Sequence, residues 1–391
     1  MAPPQPTAAQ NAQNMRNANM QARALLIQNC VDSVQNIYSS AVTTGAGTVL
    51  NIPLRNVGLI KRLYVEVNAQ VQTAAGTTQT LTKLGASNFF SLVVLTDLSN
   101  QSRISTSGWH LTAIATAKAR LPYGSAITAI DSPFGYGNNM QKTQAAPATI
   151  TVPSTGNNLY AMFEIPLAYS DSDLRGSIYA NVVNATMNLQ LTVNPTMFVA
   201  SGADATLAVY QSSGATLATL PSFVVTVYQN YLDQIPIGKN GPILPLLDLS
   251  TAYLINNTAL SGIVANQDYP IQYANFRDFL STTVVYDNAG VLNPGTDINY
   301  FALQSANYTN VFKYDPNIAS LFARLRIQDD FPTGMYYFDH RNKPISTVQY
   351  GNMQLLINPL TVTNSSATFL VGWEALALIN QVTQAGSLYG N

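Results

Sequence analysis

Apolar residues change their spacing once along this 391-residue chain, and that change divides it. Near the N-terminus they recur at Met15, Ala18, Ala22 and Leu25, with Met20, Ala24, Ile27 and Val31 widening the stripe. That spacing predicts an amphipathic helix whose other face carries Asn and Gln with Arg16 and Arg23. MAPPQP cannot begin a helix, whereas Thr7 followed by Gln10 fits a capping box. Residues 1–36 therefore read as an N-terminal arm. Its contact residues would be Met15, Arg16, Met20, Arg23, Leu25, Leu26 and Ile27. The pattern alone leaves open whether it packs on its own body, on a neighbouring subunit or on a lipid headgroup layer.

From Ile37 onward the texture is short β-rich runs punctuated by Gly, Pro and Asn. Leu59–Val67 alternates towards its end, and Phe89–Leu95, Leu159–Ile165, Leu189–Val193, Phe223–Tyr228, Thr282–Tyr286, Leu355–Ile357 and Phe369–Trp373 behave similarly. Strands of about five residues between turns predict sandwiches or barrels rather than a helix-covered parallel sheet. The run IPIGKNGPILPLL (Ile235–Leu247) carries three prolines and two glycines, cannot be a central strand, and reads as a link. It separates a first domain, 37–240, from a second, 241–391.

An internal repeat supports that division. FFSLVVLTD (Phe89–Asp97) matches FLSTTVVYD (Phe279–Asp287), and at the same offset Thr106-Ser107 faces Thr296-Asp297 as helix-cap candidates. NLQLTVNP (Asn188–Pro195) matches NMQLLINP (Asn352–Pro359), which makes Leu189 and Leu355 inward-facing positions. The closing strands Phe223–Tyr228 and Thr368–Trp373 agree in pattern only.

Composition narrows the function. Charged residues are 9% of the chain against about 25% in ordinary soluble domains, and net charge is −1. Such a chain has no field for capturing phosphate backbones. Its neutral polar surface resists self-association poorly, which suits a subunit that assembles. The single Cys30 excludes an intramolecular disulfide framework and reads as a small apolar residue. No run reaches the length of a membrane-spanning helix, the nearest being Ala367–Ile379 with Glu374 inside it. No secretory leader is visible at the start.

Candidate chemistry is sparse. His110 and His340 are the only histidines, and neither stands in HExxH or beside a GxSxG elbow, so both read as structural. Asp171-Ser-Asp173-Leu-Arg-Gly176 begins like a calcium loop but has Val182 where the twelfth-position acid belongs, leaving a turn capped by Asp171 or Asp173. Arg324, Arg326, Arg341 and Lys343 form a small basic cluster suited to solvent or a subunit contact. No catalytic, metal or cofactor constellation emerges.

YQNYLDQIPIGKNGPILPLLDLSTAYLI (Tyr228–Ile255), GTDINY (Gly295–Tyr300) and FPTGMYYFDHRNKPISTVQYGNMQLLINP (Phe331–Pro359) resemble the major capsid protein of tectiviruses. These are tailless icosahedral bacteriophages with an internal membrane. SGWHLTAIATAK (Ser107–Lys118) and PLAYSDSDLRGSIYANV (Pro166–Val182) fit as well, so the resemblance runs through nearly the whole chain. Departures concentrate near Gln70–Thr80, Asn138–Asn158, Ala200–Leu220 and the C-terminus.

The resemblance implies an all-β fold of two tandem eight-stranded jelly rolls, a double jelly roll, with short loop helices and an N-terminal helix. It implies pseudo-hexagonal homotrimers tiling capsid facets, partners that include a vertex protein, and an inward arm facing the viral membrane. No enzymatic activity, cofactor or specific nucleic acid is expected, and the chain would reside in the virion after synthesis in the bacterial host cytoplasm. The competing reading is a secreted two-domain β-sandwich that binds or cleaves glycans.

Overall fold

The computed structural model describes residues 8–43, 45–73, 76–119, 144–145, 149–150, 158–181, 186–235, 237–238, 241–242, 251–288, 297–306, 308–327, 331–332, 334–363 and 367–378. Helix α1 spans Ala8–Asn29. The first barrel follows as β1 (Val31–Val42), β2 (Val49–Pro53), β3 (Leu59–Gln72), β4 (Phe90–Thr96), β5 (Ser102–Thr106), α2 (Gly108–Ala119), β6 (Asn158–Pro166), β7 (Asn188–Val193) and β8 (Thr219–Asp233). The second barrel contains β9 (Thr251–Leu260), β10 (Tyr269–Tyr273), β11 (Arg277–Asp287), β12 (Ile298–Ser305), β13 (Tyr308–Tyr314), α3 (Pro316–Ile327), β14 (Met335–Asp339), β15 (Met353–Pro359) and β16 (Thr368–Leu378).

In the first barrel the sheet β1-β8-β3-β6 faces β2-β7-β4-β5; in the second, β9-β16-β11-β14 faces β10-β15-β12-β13. Adding eight to each label of the first barrel gives the second, so both are jelly rolls of one topology. β1 begins at Val31, inside the segment that hydrophobic spacing assigns to the arm, because Val31 already pairs with Asp233 of β8.

Each barrel has its own core. Leu63, Val65, Val67, Phe163, Leu189, Val225 and Val227 are buried in the first, and Val284, Tyr286, Phe301, Leu355, Ile357 and Val371 in the second. The inward placement of Leu189 and Leu355 matches the sequence pattern, each being fully buried. Tyr253, Ile255, Leu280 and Leu376 of the second barrel instead join the first barrel's core.

The repeat is corrected in one part. Phe279–Asp287 lies in β11, whose counterpart is β3, whereas Phe90–Thr96 is β4 on the opposite sheet. Both strands carry a similar apolar run, which produces a chance match. Asp297 precedes strand β12, not a helix; Thr296 lies outside the described residues. β7 with β15 and β8 with β16 are true counterparts. In the link, Ile237–Gly238 pairs with Gly241–Pro242 as a short hairpin, and much of the remainder lies outside the described residues.

Candidate functional site

Where the barrels meet they share a sheet. β5, at the edge of the first barrel, pairs in parallel with β9, at the edge of the second, through Ile104↔Ile255 and Ser105↔Asn256. A parallel bridge between Gly176 and Ala252 adds a second backbone tie. At Gly176, with φ +90°, a Cβ would come within 2.5 Å of the Leu167 carbonyl oxygen and 2.6 Å of Tyr253 Cβ, so only glycine fits there.

Helix α2 fills the rest of the seam. It packs on β6 of its own barrel and, through Trp109 and Ala113, on Val285, Met335, Tyr337 and Leu370 of the second. GWHLTAIATAKA is apolar almost all round, and such a helix is stable only when covered on all sides. Gly108 permits the approach, since a Cβ there would lie 2.4 Å from the Ser87 carbonyl oxygen.

Beside α2 lies a buried polar cluster. Glu374 on β16 is 0% exposed. It accepts hydrogen bonds from Ser281 Oγ at 2.7 Å, Arg341 at 2.5 Å and the Tyr253 hydroxyl, with Lys118 Nζ 3.5 Å away. Lys118 also donates to the Tyr253 hydroxyl at 2.8 Å. Burial pushes the Glu374 carboxyl up to about 7 while Lys118 opposes it. Burial likewise lowers the Lys118 ammonium, against the pull of Glu374. Four partners from different elements converge on one carboxylate, three from the second barrel and Lys118 from the first, so Lys118 is the charge that ties α2 to the second barrel.

The histidines are structural. His110 Nδ1 lies 2.8 Å from Thr106 Oγ1, and the ring rests on Gly372, where a Cβ would come within 2.4 Å. Burial, with Arg341 nearby, drives its pKa down to about 3, so it is neutral. His340, also held down to about 4 by burial, stacks beside Phe312. Asp97 pairs with Arg103 at 2.6 Å and caps its own turn, so it does not orient His110. Asp173 caps the Arg175 amide, as the sequence leads one to expect, while Asp171 pairs with Lys61 and Arg62. Among the described residues no three metal-ligating groups converge.

A cleft of about 290 Å³ opens at the seam, lined by neutral groups such as Asn88, Ser107, Trp109, Asn194, Asn257 and Leu370. It offers hydrogen bonding without an acid, base or activated nucleophile.

All seven arm candidates lie on α1. Leu26 is buried against Leu59, Leu174 and Leu232, which anchors the end of the helix to the first barrel. Met20, Leu25 and Ile27 are exposed, and the side chains of Met15, Arg16 and Arg23 lie outside the described residues. Cys30 beside that anchor is partly buried, consistent with a small apolar role. No described helix is long and apolar enough to cross a membrane.

Sequence reasoning missed two features. Glu374 showed only as an acid inside an apolar run. Helix α3 went unread, although Asp315, capping the Asn317 and Ile318 amides ahead of an apolar repeat, is a start signal.

The comparisons with known proteins agree with this architecture. Residues 1–235 match the family model of the P3 major capsid protein N-terminal region and residues 250–389 that of its C-terminal region. The major capsid protein P3 of Enterobacteria phage PRD1 is 40% identical over 391 residues, covering 99% of this chain and 98% of that one. The fold resembles one solved in the atomic structure of Sulfolobus turreted icosahedral virus, with TM-score 0.63 at 14% identity over 89% of this chain and 91% of the other. It also resembles a chain of the PBCV-1 virus capsid, with TM-score 0.52 at 10% identity over 89% and 95%. These last two likenesses bear on fold alone.

Proposed function

The chain belongs to the P3 major capsid protein family, and from that premise we propose that three copies form a pseudo-hexagonal capsomer. As a family member it is a structural protein of a phage capsid, resides in the virion and assembles with copies of itself and other virion components. Family membership gives no support to the glycan-binding alternative. The trimer reading rests on one observation: two barrels of identical topology stand side by side and share a sheet through β5 and β9. Three such pairs make six similar lobes around an axis, and a lattice of six-lobed tiles covers a facet. The chain works by shape and burial, without catalysis.

Two finer parts belong to the same proposal. The two barrels, β1 to β8 and β9 to β16, act as the two lobes. α1, anchored by Leu26, turns Met20, Leu25 and Ile27 inward, towards the viral membrane or a neighbouring subunit. The vertex protein is a further expected partner.

Light scattering on the eluting chain tests the trimer, which should weigh roughly 126 kDa, three times the 42.1 kDa chain. A monomer at every concentration would remove it. Deleting residues 1–28 should leave trimers intact and impair particle assembly or membrane retention; loss of the trimer would instead make the arm part of the trimer core.

A further inference from the structure

The outer β1-β8-β3-β6 face of the first barrel is bare, with Tyr64 and Glu66 partly exposed, and its strands pair along their lengths. The sheet opposite is interrupted. β5 stands between β4 and β9, antiparallel to β4 and parallel to β9. At Ser107 the chain leaves this sheet, and Gly108 begins α2. The flanking strands continue. On the side of β5, the last pairing of β4 is Val93↔Thr106, and Phe90, Ser91 and Leu92 lie beyond it. β9 last meets β5 at Asn256, and Asn257, Thr258, Ala259 and Leu260 lie beyond that. On their other sides the two strands are paired, to β7 and to β16.

The seam cleft of about 290 Å³ lies in this gap, with Phe90 and Ser91 on one wall and Asn257, Thr258 and Ala259 on the other. Strands that flank one missing neighbour stand about 10 Å apart, twice the ordinary spacing, so the gap has the width of a strand. Ser107 and Trp109 close it where β5 ends, and there Asn257 Nδ2 donates to Ser107 Oγ at 2.6 Å. Ser91, Leu92, Thr258 and Ala259 are exposed, and on the slot side they have no partner strand among the described residues. Open strand edges are templates for another strand, and here two of them face each other.

We infer that the slot takes an extended peptide segment of a second protein, with about three of its residues seated between β4 and β9 as a continuation of β5. Running in the direction of β5, the segment is antiparallel to β4 and parallel to β9, the pairing that β5 itself makes. Its seated residues are uncharged. No charged side chain lines the slot, and an ionised group entering it would lose water without gaining a partner. The slot opens at the end of the first barrel away from α1. Leu26 anchors α1 where β3 begins and β8 ends, and β1 leads from there towards the turn at Thr48. The Thr48 carbonyl accepts from Val193, and Val193 faces Phe90 at the slot. With α1 turned inward, the segment reaches the slot from outside the shell. That direction rests on the reading of α1 above, and the slot itself does not.

Random heptapeptides displayed on an unrelated carrier and selected on the purified full chain supply the probe. The selected peptides should be uncharged and rich in strand-forming residues. At about ten times its Kd, such a peptide should slow hydrogen exchange of the slot-facing amides among Ser91, Leu92, Thr258 and Ala259 by about tenfold. Ser91→Trp and Thr258→Trp alter exposed side chains and should melt as wild type while weakening the peptide by at least about tenfold. Gln272→Trp, on β10 away from the slot, should bind it as wild type does. The exchange measurement on wild type needs none of these variants. A selection that yields no binder overturns the inference, as do peptides that leave the slot amides exchanging freely or bind both slot variants undiminished. Slow exchange of those amides in the chain alone overturns it too, since the chain or a second copy would then already fill the slot. Peptides that bind dissociated chains and not assembled particles overturn the outward direction, and the inward α1 with it, while the slot stands.

Discussion

α2 and α3 are the same element in two barrels, and they live in different surroundings. Both have 12 residues, both follow the strand that ends one sheet, and both end near a basic residue. α2 is buried almost throughout, with Trp109 2% exposed, and α3 is exposed along every row except the one facing β14. The difference is not in the barrels, whose topology is identical, but in what stands next to them. Within the chain, the second barrel stands beside α2. Beside α3 the chain supplies β14 and, at Ala323, the flank of α2, and it leaves Ile318, Leu321, Phe322 and Leu325 uncovered. One fold repeated twice thus yields a finished joint and an unfinished one, which is the minimum a chain needs to assemble with itself.

The sharpest way to break this comparison is to truncate corresponding apolar residues. Trp109→Ala should lower the stability of the chain by about 3–5 kcal/mol, the range for a fully buried large side chain. Phe322→Ala, measured on dissociated chains, should stay within about 0.5 kcal/mol of wild type. Denaturant melts of both variants read the contrast directly, and equal losses would mean that α3 is already covered in the monomer. Next in size is the polar half of the joint. Glu374→Ala leaves Arg341 and Lys118 without their shared carboxylate and should remove about 3 kcal/mol. Glu66→Ala on the bare face should leave dissociated chains within about 0.5 kcal/mol of wild type. If Glu374→Ala melts like wild type, the cluster does not hold the barrels together.

Part of this was legible in the sequence. Short strands, the Pro- and Gly-rich link and the matched runs ending in Asn-Pro give two β modules, and the amphipathic start gives α1. The contrast between the two sheets was also written there: KRLYVEV in β3 alternates, as a strand with one wet face must, whereas STTVVY in β11 carries no charge on either face. What escaped was the pairing of modules. FFSLVVLTD and FLSTTVVYD look alike because both are apolar β-rich runs, yet one is β4, with Ser91 and Leu92 exposed, and the other β11, buried from Phe279 to Asp287. Glu374 could not be assigned from sequence because Tyr253, Ser281 and Arg341 meet it only once the second barrel's strands pair, and Lys118, 256 positions away, reaches it across the seam. For α3, the outward apolar row contradicts the expectation that a helix buries its hydrophobic side, and that conflict is itself the mark of an interface.

Smaller changes test how closely the internal joint is fitted. Gly372→Ala would push a Cβ against the His110 ring, at 2.4 Å from Cδ2 and 2.5 Å from Nε2, and should cost about 2–3 kcal/mol. Thr226→Ala, on the partly exposed face of the corresponding strand β8, should be within about 0.5 kcal/mol of wild type. A Gly372→Ala chain that melts normally would show that α2 can shift off β16 and that the seam is looser than its buried polar cluster suggests.

The smallest effect is a pH dependence that separates the covered joint from the bare one. His110 is held at a pKa of about 3 in the folded chain and returns to about 6.5 when unfolded. The unfolded state therefore binds the extra proton first, and this contribution to stability is intact above about pH 6.5 and fades as pH falls towards 3. Between pH 7.5 and 5 the loss from His110 should be about 2 kcal/mol. Glu374 acts in the opposite sense. Its carboxyl is raised to about 7 from 4.5, so what it contributes is present at low pH and is lost as pH rises through 7. The two cancel in part within one chain, so the His110 contribution must be read as a difference. His110→Asn keeps a group that can bond Thr106 and removes the titration. Relative to its own value at pH 7.5, this variant should therefore lose about 2 kcal/mol less than wild type on going to pH 5. His340 titrates equally in both chains and drops out of the difference. Parallel stability curves for the two would mean that water already reaches His110, and hence that the seam α2 closes is as open as the face α3 leaves bare.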